Sequence, residues 1–445
     1  MVHSTQKMTV PEGETAPLII PRSAHSLSSK DIDRDALKVL TMLQKEGHTA
    51  YLVGGGVRDL YLGKTPKDFD ISTDAKPGQI RKLFRNSRTI GRRFRLVQVF
   101  FHGNKIVEVS TFRSRSEYDM EGEINVLPAN NTFGSEADDA FRRDLTINSL
   151  FYDIHNETII DYTGGVADLN NRIIRIVGDP DKRITRDPVR MLRAMRHASR
   201  IGFSIEEATW QAIIRHKDKL HFCPVSRIRD ELLKDLRGGA NSHWLQLLLD
   251  SGVFYVLFPL YQPVFTENGE AGKELLGRIL EVIDRLQQNN QQIPEPFLLG
   301  LFLIPWSQKM FPEMNDKLKN GQLYALSRRI KDEVDTGLDH LNIKRATKEH
   351  IASLLARLQL FADNDQNGNW PAWLKKKSYF RENSQFYTIY REACGGGPAA
   401  DLELPAPEKK PRSRSQRQTP RRNGQMPAYS RNDNKGGIFG LRKQK

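Results

Sequence analysis

The sequence predicts an α+β protein: a small head around a mixed or antiparallel sheet, an all-α neck and body, and a disordered basic tail. Three observations predict it. Short runs of alternating apolar residues fill the stretch between Ala50 and Phe112. From about Asp187 the apolar spacing changes to the three-and-four pattern of helices. After Gly395-Gly396-Gly397-Pro398 apolar residues become sparse and Lys and Arg accumulate.

Residues 1–28 are polar, carry Pro11, Pro17 and Pro21, and hold no sustained period, so they are expected to be disordered. Ser29 and Asp31 precede Ile32, Ala36, Leu37, Val39, Leu40 and Leu43, an amphipathic helix ended by Gly47. Strands are expected at Ala50 to Val53, Asp68 to Ser72, Arg95 to Phe101 and Lys105 to Phe112, with a helix at Gly78 to Phe84. This gives a head over 29–180, with a polar, aperiodic loop at 113–133. A helical neck at 181–240 follows, carried by Met191, Leu192, Met195, Ala198, Ile201, Ile228, Leu232, Leu233 and Leu236. The body, 241–394, takes in an apolar run near Leu245 to Leu260 and amphipathic helices at Leu275–Leu286, Gln322–Leu338 and Lys348–Leu360. The tail is 395–445.

Composition narrows the function. The longest apolar stretch, Leu298 to Trp306, contains Gly300 and Pro305 and falls far short of the roughly 20 residues of a membrane span. No basic region followed by an apolar run opens the chain, so no secretory signal is expected. Two cysteines, Cys223 and Cys394, give neither a disulfide framework nor zinc spacing. A cytoplasmic protein without a membrane partner is the expectation. Net charge is +14, of which +11 lies between Lys409 and Lys445, where twelve basic residues face the single acid Asp433. Such a tail is either a solubilising extension or a flexible arm for nucleic acid; its interleaved Arg, Ser, Pro and Gln favour the second.

The chemistry concentrates in LVGGGVRDLYLGKTPKDFDIST, residues 52–73. Asp68 and Asp70 are two apart, so on a strand both carboxylates point to one face while Phe69 points to the other. Like charges held together are costly unless a cation lies between them. Mg²⁺ accepts one or two carboxylates plus substrate phosphates, and two such ions can clamp an in-line displacement. Alone, the pair could equally be an exposed acidic strand edge. Its context is the turn Gly54-Gly55-Gly56, which leads from a strand into a helix and lets backbone N–H groups approach a triphosphate, with Arg58 adding charge. A P-loop reading of Gly63-Lys64-Thr65 fails because Arg58 stands where the first glycine is required, and a dinucleotide fingerprint fails at Asp59. Asp363, Asp365, Asn367 and Gly368 imitate the start of an EF-hand, but its twelfth position is Leu374, so a surface turn is expected.

Residues 52–73 resemble the signature of class II nucleotidyltransferases, the superfamily of bacterial poly(A) polymerases and CCA-adding tRNA enzymes. The resemblance continues through EVSTFR (108–113), RRDLTINSL (142–150) and RDPVRMLRAMR (186–196), in family order. It implies an α+β nucleotidyltransferase head, a neck over 181–240 that binds nucleotide and RNA, and a body over 241–394 that binds RNA. Asp68 and Asp70 would hold two Mg²⁺ ions, with Mn²⁺ as an alternative, and Asp144 would support the catalytic geometry. Gly54, Gly55 and Arg58 would cradle the triphosphate, and Arg143 and Asn148 would orient the nucleotide. Asp187 and Arg190 would read the base, and Arg193 and Arg196 would reach the phosphates. The family usually has Glu before that aspartate, where this chain has Arg186. Glu108 is either a third carboxylate beside the metals or a partner for an arginine such as Arg113.

Family members share one reaction and differ in primer and nucleotide. TIGRRFRLVQVF (89–100) resembles a block of the bacterial poly(A) polymerases, with Thr89 where an aliphatic residue is usual. Arg92, Arg93 and Arg95 beside Phe94 suit RNA phosphates and a stacked base. VSRIRDELLKDL (225–236) and the basic tail also suit an enzyme that grips varied RNA 3′ ends. The expected activity is AMP addition from ATP, with RNA-decay or RNA-chaperone proteins as partners. CCA addition to tRNA and RNA binding without catalysis are the alternatives.

Overall fold

The computed structural model describes residues 16–91, 95–114, 132–265, 269–366 and 368–399. Asp33 opens helix α1 (Arg34–Lys45) by accepting hydrogen bonds from the N–H groups of Asp35 and Ala36. Its buried stripe of Ala36, Val39, Leu40 and Leu43 packs into the head core. The sheet uses β1 (Leu18–Ile20), β2 (Ala50–Val53), β3 (Asp70–Thr73), β4 (Ser87–Ile90), β5 (Leu96–Phe100), β6 (Ile106–Thr111), β7 (Phe151–Asp153) and β8 (Thr158–Asp161). Their order is β1-β8-β7-β2-β3-β6-β5-β4, and every neighbouring pair is antiparallel except β3 with β6. In β5 and β6 buried Val97, Val99, Val107 and Val109 alternate with part-exposed residues, the pattern of strands with one covered face.

Two expectations are corrected. Residues 16–28 are not disordered: β1 pairs with β8 along the sheet edge, and Leu27 is 1% exposed. Three apolar residues between two prolines hold too little pattern to reveal a strand whose partner lies 140 positions away. The strand expected from Asp68 begins at Asp70, so Asp68 belongs to the approach to β3. The loop expected at 113–133 lies mostly outside the described residues. Within them Arg113 bridges Phe133.

Helix α2 (Gly55–Tyr61) follows β2, α3 (Pro77–Leu83) follows β3, and α4 (Glu136–Phe141) and α5 (Gly165–Asn171) flank the last strand pair. The neck holds α6 (Pro180–Arg186), α7 (Val189–Ile201), α8 (Glu207–His216) and α9 (Val225–Leu236). In α7, Val189, Met191, Leu192, Ala194, Met195 and Ala198 are buried, and Gly202, at φ +72°, ends the helix. Among the described residues the regular elements of the body are helices, and its core is continuous with that of the neck. Among the described residues no helix is long and apolar enough to cross a membrane.

Candidate active site

The site forms where β2 ends and β3 and β6 run side by side. Val53 pairs with Asp70, and Asp70 pairs with Glu108. Gly54 then turns the chain at φ +71°, ψ −138°, a backbone region that essentially only glycine occupies without strain. A Cβ at Gly54 would lie 3.3 Å from Arg143 Nη1 and 4.0 Å from Asp70 Oδ2, so this glycine is where the acidic strand and the arginine block meet. A Cβ at Gly56 would lie 3.5 Å from the Asp68 carbonyl oxygen, which packs α2 onto the approach to β3.

Asp70 is reached by solvent, although protein surrounds most of it. That partial desolvation, with Glu108 and Asp68 adding like charge against an opposing Arg143, pushes its carboxyl up to about 6. Glu108 stands in register beside Asp70 on the neighbouring strand, and its carboxylate accepts a hydrogen bond from Gln98 Nε2 of β5 at 2.8 Å.

Arg58 is buried in α2 and tightly held. Its Nε and Nη2 donate to Asp59 Oδ1 at 2.9 and 2.7 Å. Its Nη1 donates to Asn148 Oδ1 at 2.7 Å and to His197 Nδ1 at 3.2 Å. His197 is therefore an acceptor, and burial together with Arg58 and Arg196 lowers it to about 3, leaving a neutral imidazole. Arg143 reaches across the sheet: Nη2 donates to Asp139 Oδ2 at 2.9 Å and to Ser72 Oγ at 3.1 Å, Nη1 donates to the Asn148 carbonyl at 3.3 Å, and the guanidinium lies 5.2 Å from the Phe151 ring centroid. Arg142, lowered to about 10 by burial and by Arg113, adds to a wall of closely spaced arginines. Buried Nε atoms of Arg143 and Arg190 have no hydrogen-bond acceptor among the described residues. The wall is more cationic than its own acids neutralise, as an anionic ligand requires.

Asp144 is one-fifth exposed and ion-paired with both Arg190 and Arg193. Burial raises its carboxyl, but the two arginines prevail and hold it well below the usual carboxylate range. Asp187 caps α6 rather than lying on α7, and pairs with Arg227 of α9 at 3.0 Å. Arg193 also meets Glu231 at 3.3 Å, and Arg196, 7% exposed, is paired with Glu231 and Asp235 of α9. The arginines expected to reach phosphates thus divide: Arg193 borders a polar cavity of about 210 Å³ with Asp144, Asn148 and His197, while Arg196, on the same border, has its guanidinium engaged by α9. Arg92 and Arg93 lie outside the described residues. Arg95 is exposed just before β5, and Gly91, at φ +88°, follows the end of β4. The EF-hand lookalike is a turn: Gly368 N–H donates to Asp365 Oδ1 at 2.6 Å, and Asp365 pairs with Arg391.

Sequence reading missed Asp139, His197, Arg227, Glu231 and Asp235. Asp139 had a visible signal, standing four residues before Arg143 on a helical stretch. The others had none, because their partners lie 35 to 139 positions away.

The donor set fits a divalent cation shared with a substrate. Asp70, Asp68 and Glu108 crowd negative charge that a cation would relieve, as the raised Asp70 carboxyl shows. Among the described residues no three acids, histidines or cysteines form a ready cage. Mg²⁺ is commonly held by one or two carboxylates, its other positions going to phosphate and water.

An acidic strand edge facing an arginine wall across a glycine turn, on a mixed sheet with a helical neck, defines a nucleotidyltransferase head. The family model described as "Poly A polymerase head domain" matches residues 50–175, and one described as "Probable RNA and SrmB- binding site of polymerase A" matches 202–264. The poly(A) polymerase I of Salmonella typhi is 44% identical over 307 residues, 66% of this chain and 66% of its own length. That of Haemophilus influenzae is 37% identical over 319 residues, 69% of this chain and 70% of its own length. Among solved structures, the CCA-adding enzyme of Bacillus stearothermophilus in complex with CTP aligns with a TM-score of 0.61 at 26% identity, covering 82% of this chain and 79% of that one. The chain belongs to the bacterial poly(A) polymerase I family of nucleotidyltransferases.

Proposed function

We propose that the protein is a template-independent poly(A) polymerase that extends RNA 3′ ends with AMP from ATP and releases pyrophosphate. The 3′-oxygen of the RNA forms a bond to the α-phosphorus of ATP as the bond from that phosphorus to the pyrophosphate oxygen breaks. The observation that carries this reading is the meeting of Asp70 and Arg143 at Gly54, which sets a cation-seeking edge and an anion-seeking wall on opposite sides of one turn.

Asp68 and Asp70 would hold Mg²⁺, or Mn²⁺ in its place, and the bound ions supply charge neutralisation at the attacking and leaving oxygens. Arg58, fixed by Asp59, Asn148 and His197, presents its charge beside Gly55 to the triphosphate. Asp139 and Ser72 aim Arg143 at the same region, and Asn148 links the two arginines. Asp144 holds Arg190 and Arg193 so that the neck presents a fixed surface to the nucleotide. Asp187 and Arg190 supply polar groups for the base edge, Asp187 braced by Arg227 where the family's usual acid is replaced by Arg186. Arg92, Arg93 and Arg95 would guide the RNA strand. The protein would work in the cytoplasm, and RNA-decay or RNA-chaperone proteins are the partner class we assign to the basic tail.

Full-length protein incubated with an unstructured RNA primer, Mg²⁺ and each nucleoside triphosphate in turn tests the proposal. Long tails from ATP alone are expected. Completion only of tRNA ends with CTP and ATP would establish CCA addition instead, and RNA binding without incorporation would establish a non-catalytic role.

A further inference from the structure

The segment Pro371-Ala-Trp-Leu-Lys-Lys-Lys-Ser378 lies outside both matched segments and far along the chain from the catalytic head. Its short helix, Ala372–Lys375, is anchored on both sides of one exposed ring. Trp370 packs edge-on against Phe361 and Phe380, with ring centroids 6.3 and 5.6 Å away, and Leu374 is fully buried. Trp373 is 49% exposed between these anchors. Lys375, Lys376 and Lys377 follow it, all exposed, and none makes an ion pair among the described residues. The acids nearest in sequence are committed elsewhere, Asp365 to Arg391 at 3.0 Å and Glu382 to His350 at 3.2 Å.

An exposed indole on a firmly anchored turn leaves apolar surface in water, and three unpaired ammonium groups beside it favour a polyanion. Single-stranded nucleic acid satisfies both, because a base stacks on the indole while the backbone phosphates meet the lysines. An acidic protein would satisfy the charge but offers no regular supply of flat rings.

We propose that Trp373 with Lys375, Lys376 and Lys377 forms a second RNA-holding site, on the body, which grips the strand upstream of the 3′ end being extended. This rests on the reading that RNA is the substrate. Four of the five tryptophans are buried or part-buried, so Trp373 dominates any emission change caused by a ligand at the surface. Titration of the full chain with oligo(A), without ATP, should quench indole fluorescence. Trp373→Phe should remove most of that quench, and Trp373→Ala should weaken oligo(A) binding about tenfold. Replacing the three lysines with Gln should lower the slope of log affinity against log salt by about two. In all these variants AMP addition to a primer too short to reach the body should be retained. Unchanged affinity in Trp373→Ala together with an unchanged salt slope would overturn the site. Quenching by polyglutamate but not by oligo(A) would overturn RNA as its occupant. Failure of the poly(A) reading would look different, since the unaltered chain would add no AMP while the quench persisted.

Discussion

The head and the neck treat charge in opposite ways. On the head, Asp70 pairs in register with Glu108, and its carboxyl is raised by burial and by the like charge of Glu108 and Asp68, which Arg143 only partly offsets. On the neck, Arg190, Arg193 and Arg196 are already paired, with Asp144, Glu231 and Asp235. A charge left unsatisfied in a folded protein is a place prepared for something that arrives, whereas a charge fully paired within it is a brace. Ligand chemistry should therefore fail first when the head is altered, and rigidity first when the neck is altered.

The largest effect tests the head. Asp70→Asn keeps the shape but removes the negative charge that draws a cation, and should lower the rate of AMP addition about a thousandfold or more. RNA affinity, carried by Lys and Arg elsewhere, should stay within about twofold. Primer extension and filter binding on the same preparation measure both. Near-normal extension by this variant would show that Asp70 holds no metal.

The next tests the neck as a brace. Glu231 is buried, and although burial raises its carboxyl, Arg196 and Arg193 bring it down from 4.5 to about 2. A carboxylate whose folded value is depressed contributes stability that is fully present above the unfolded value and is lost as pH falls through the folded one. That shift corresponds to roughly 3 kcal/mol. Glu231→Gln should therefore lower the urea midpoint above about pH 5, and the gap from the unaltered protein should narrow as pH falls from 4.5 toward 2. A gap that is constant across that range would mean the Glu231 charge is not the source of the stability.

These two regions also differ in how far the sequence revealed them. The candidate residues of the head stand out in the sequence because they are local: Asp68 and Asp70 are two apart, Gly54 to Arg58 is one turn, and Arg143, Asp144 and Asn148 share one short block. Even Asp139 stood one helical turn before its arginine. The neck was half legible. The spacing of Arg190, Arg193 and Arg196 showed a charged stripe, but what Arg193 and Arg196 face depends on α9, which returns from 35 to 39 positions later. Arg196 for this reason reads as a phosphate ligand in the sequence, whereas in the structure its guanidinium is paired with Glu231 and Asp235. The edge strand Leu18–Ile20 was hidden by the same cause, since its partner β8 is supplied by tertiary contact alone.

The smallest effect lies within the neck, at the residue expected to read the base. Asp187 meets Arg227 at 3.0 Å, but Arg227 is 43% exposed, so the pair is worth at most about 1 kcal/mol. If that pair fixes the orientation of Asp187 toward the incoming base, Arg227→Gln should let Asp187 turn and narrow the preference for ATP over CTP. By the same energy the change is limited to about fivefold. The maximal rate with ATP should stay within about twofold, because Asp70, Arg58 and Arg143 are untouched. Competition between labelled ATP and CTP on one primer reads the preference directly. A preference that does not move would place base selection on Arg190 and the head, and would leave the Asp187–Arg227 pair a brace with no share in choosing the nucleotide.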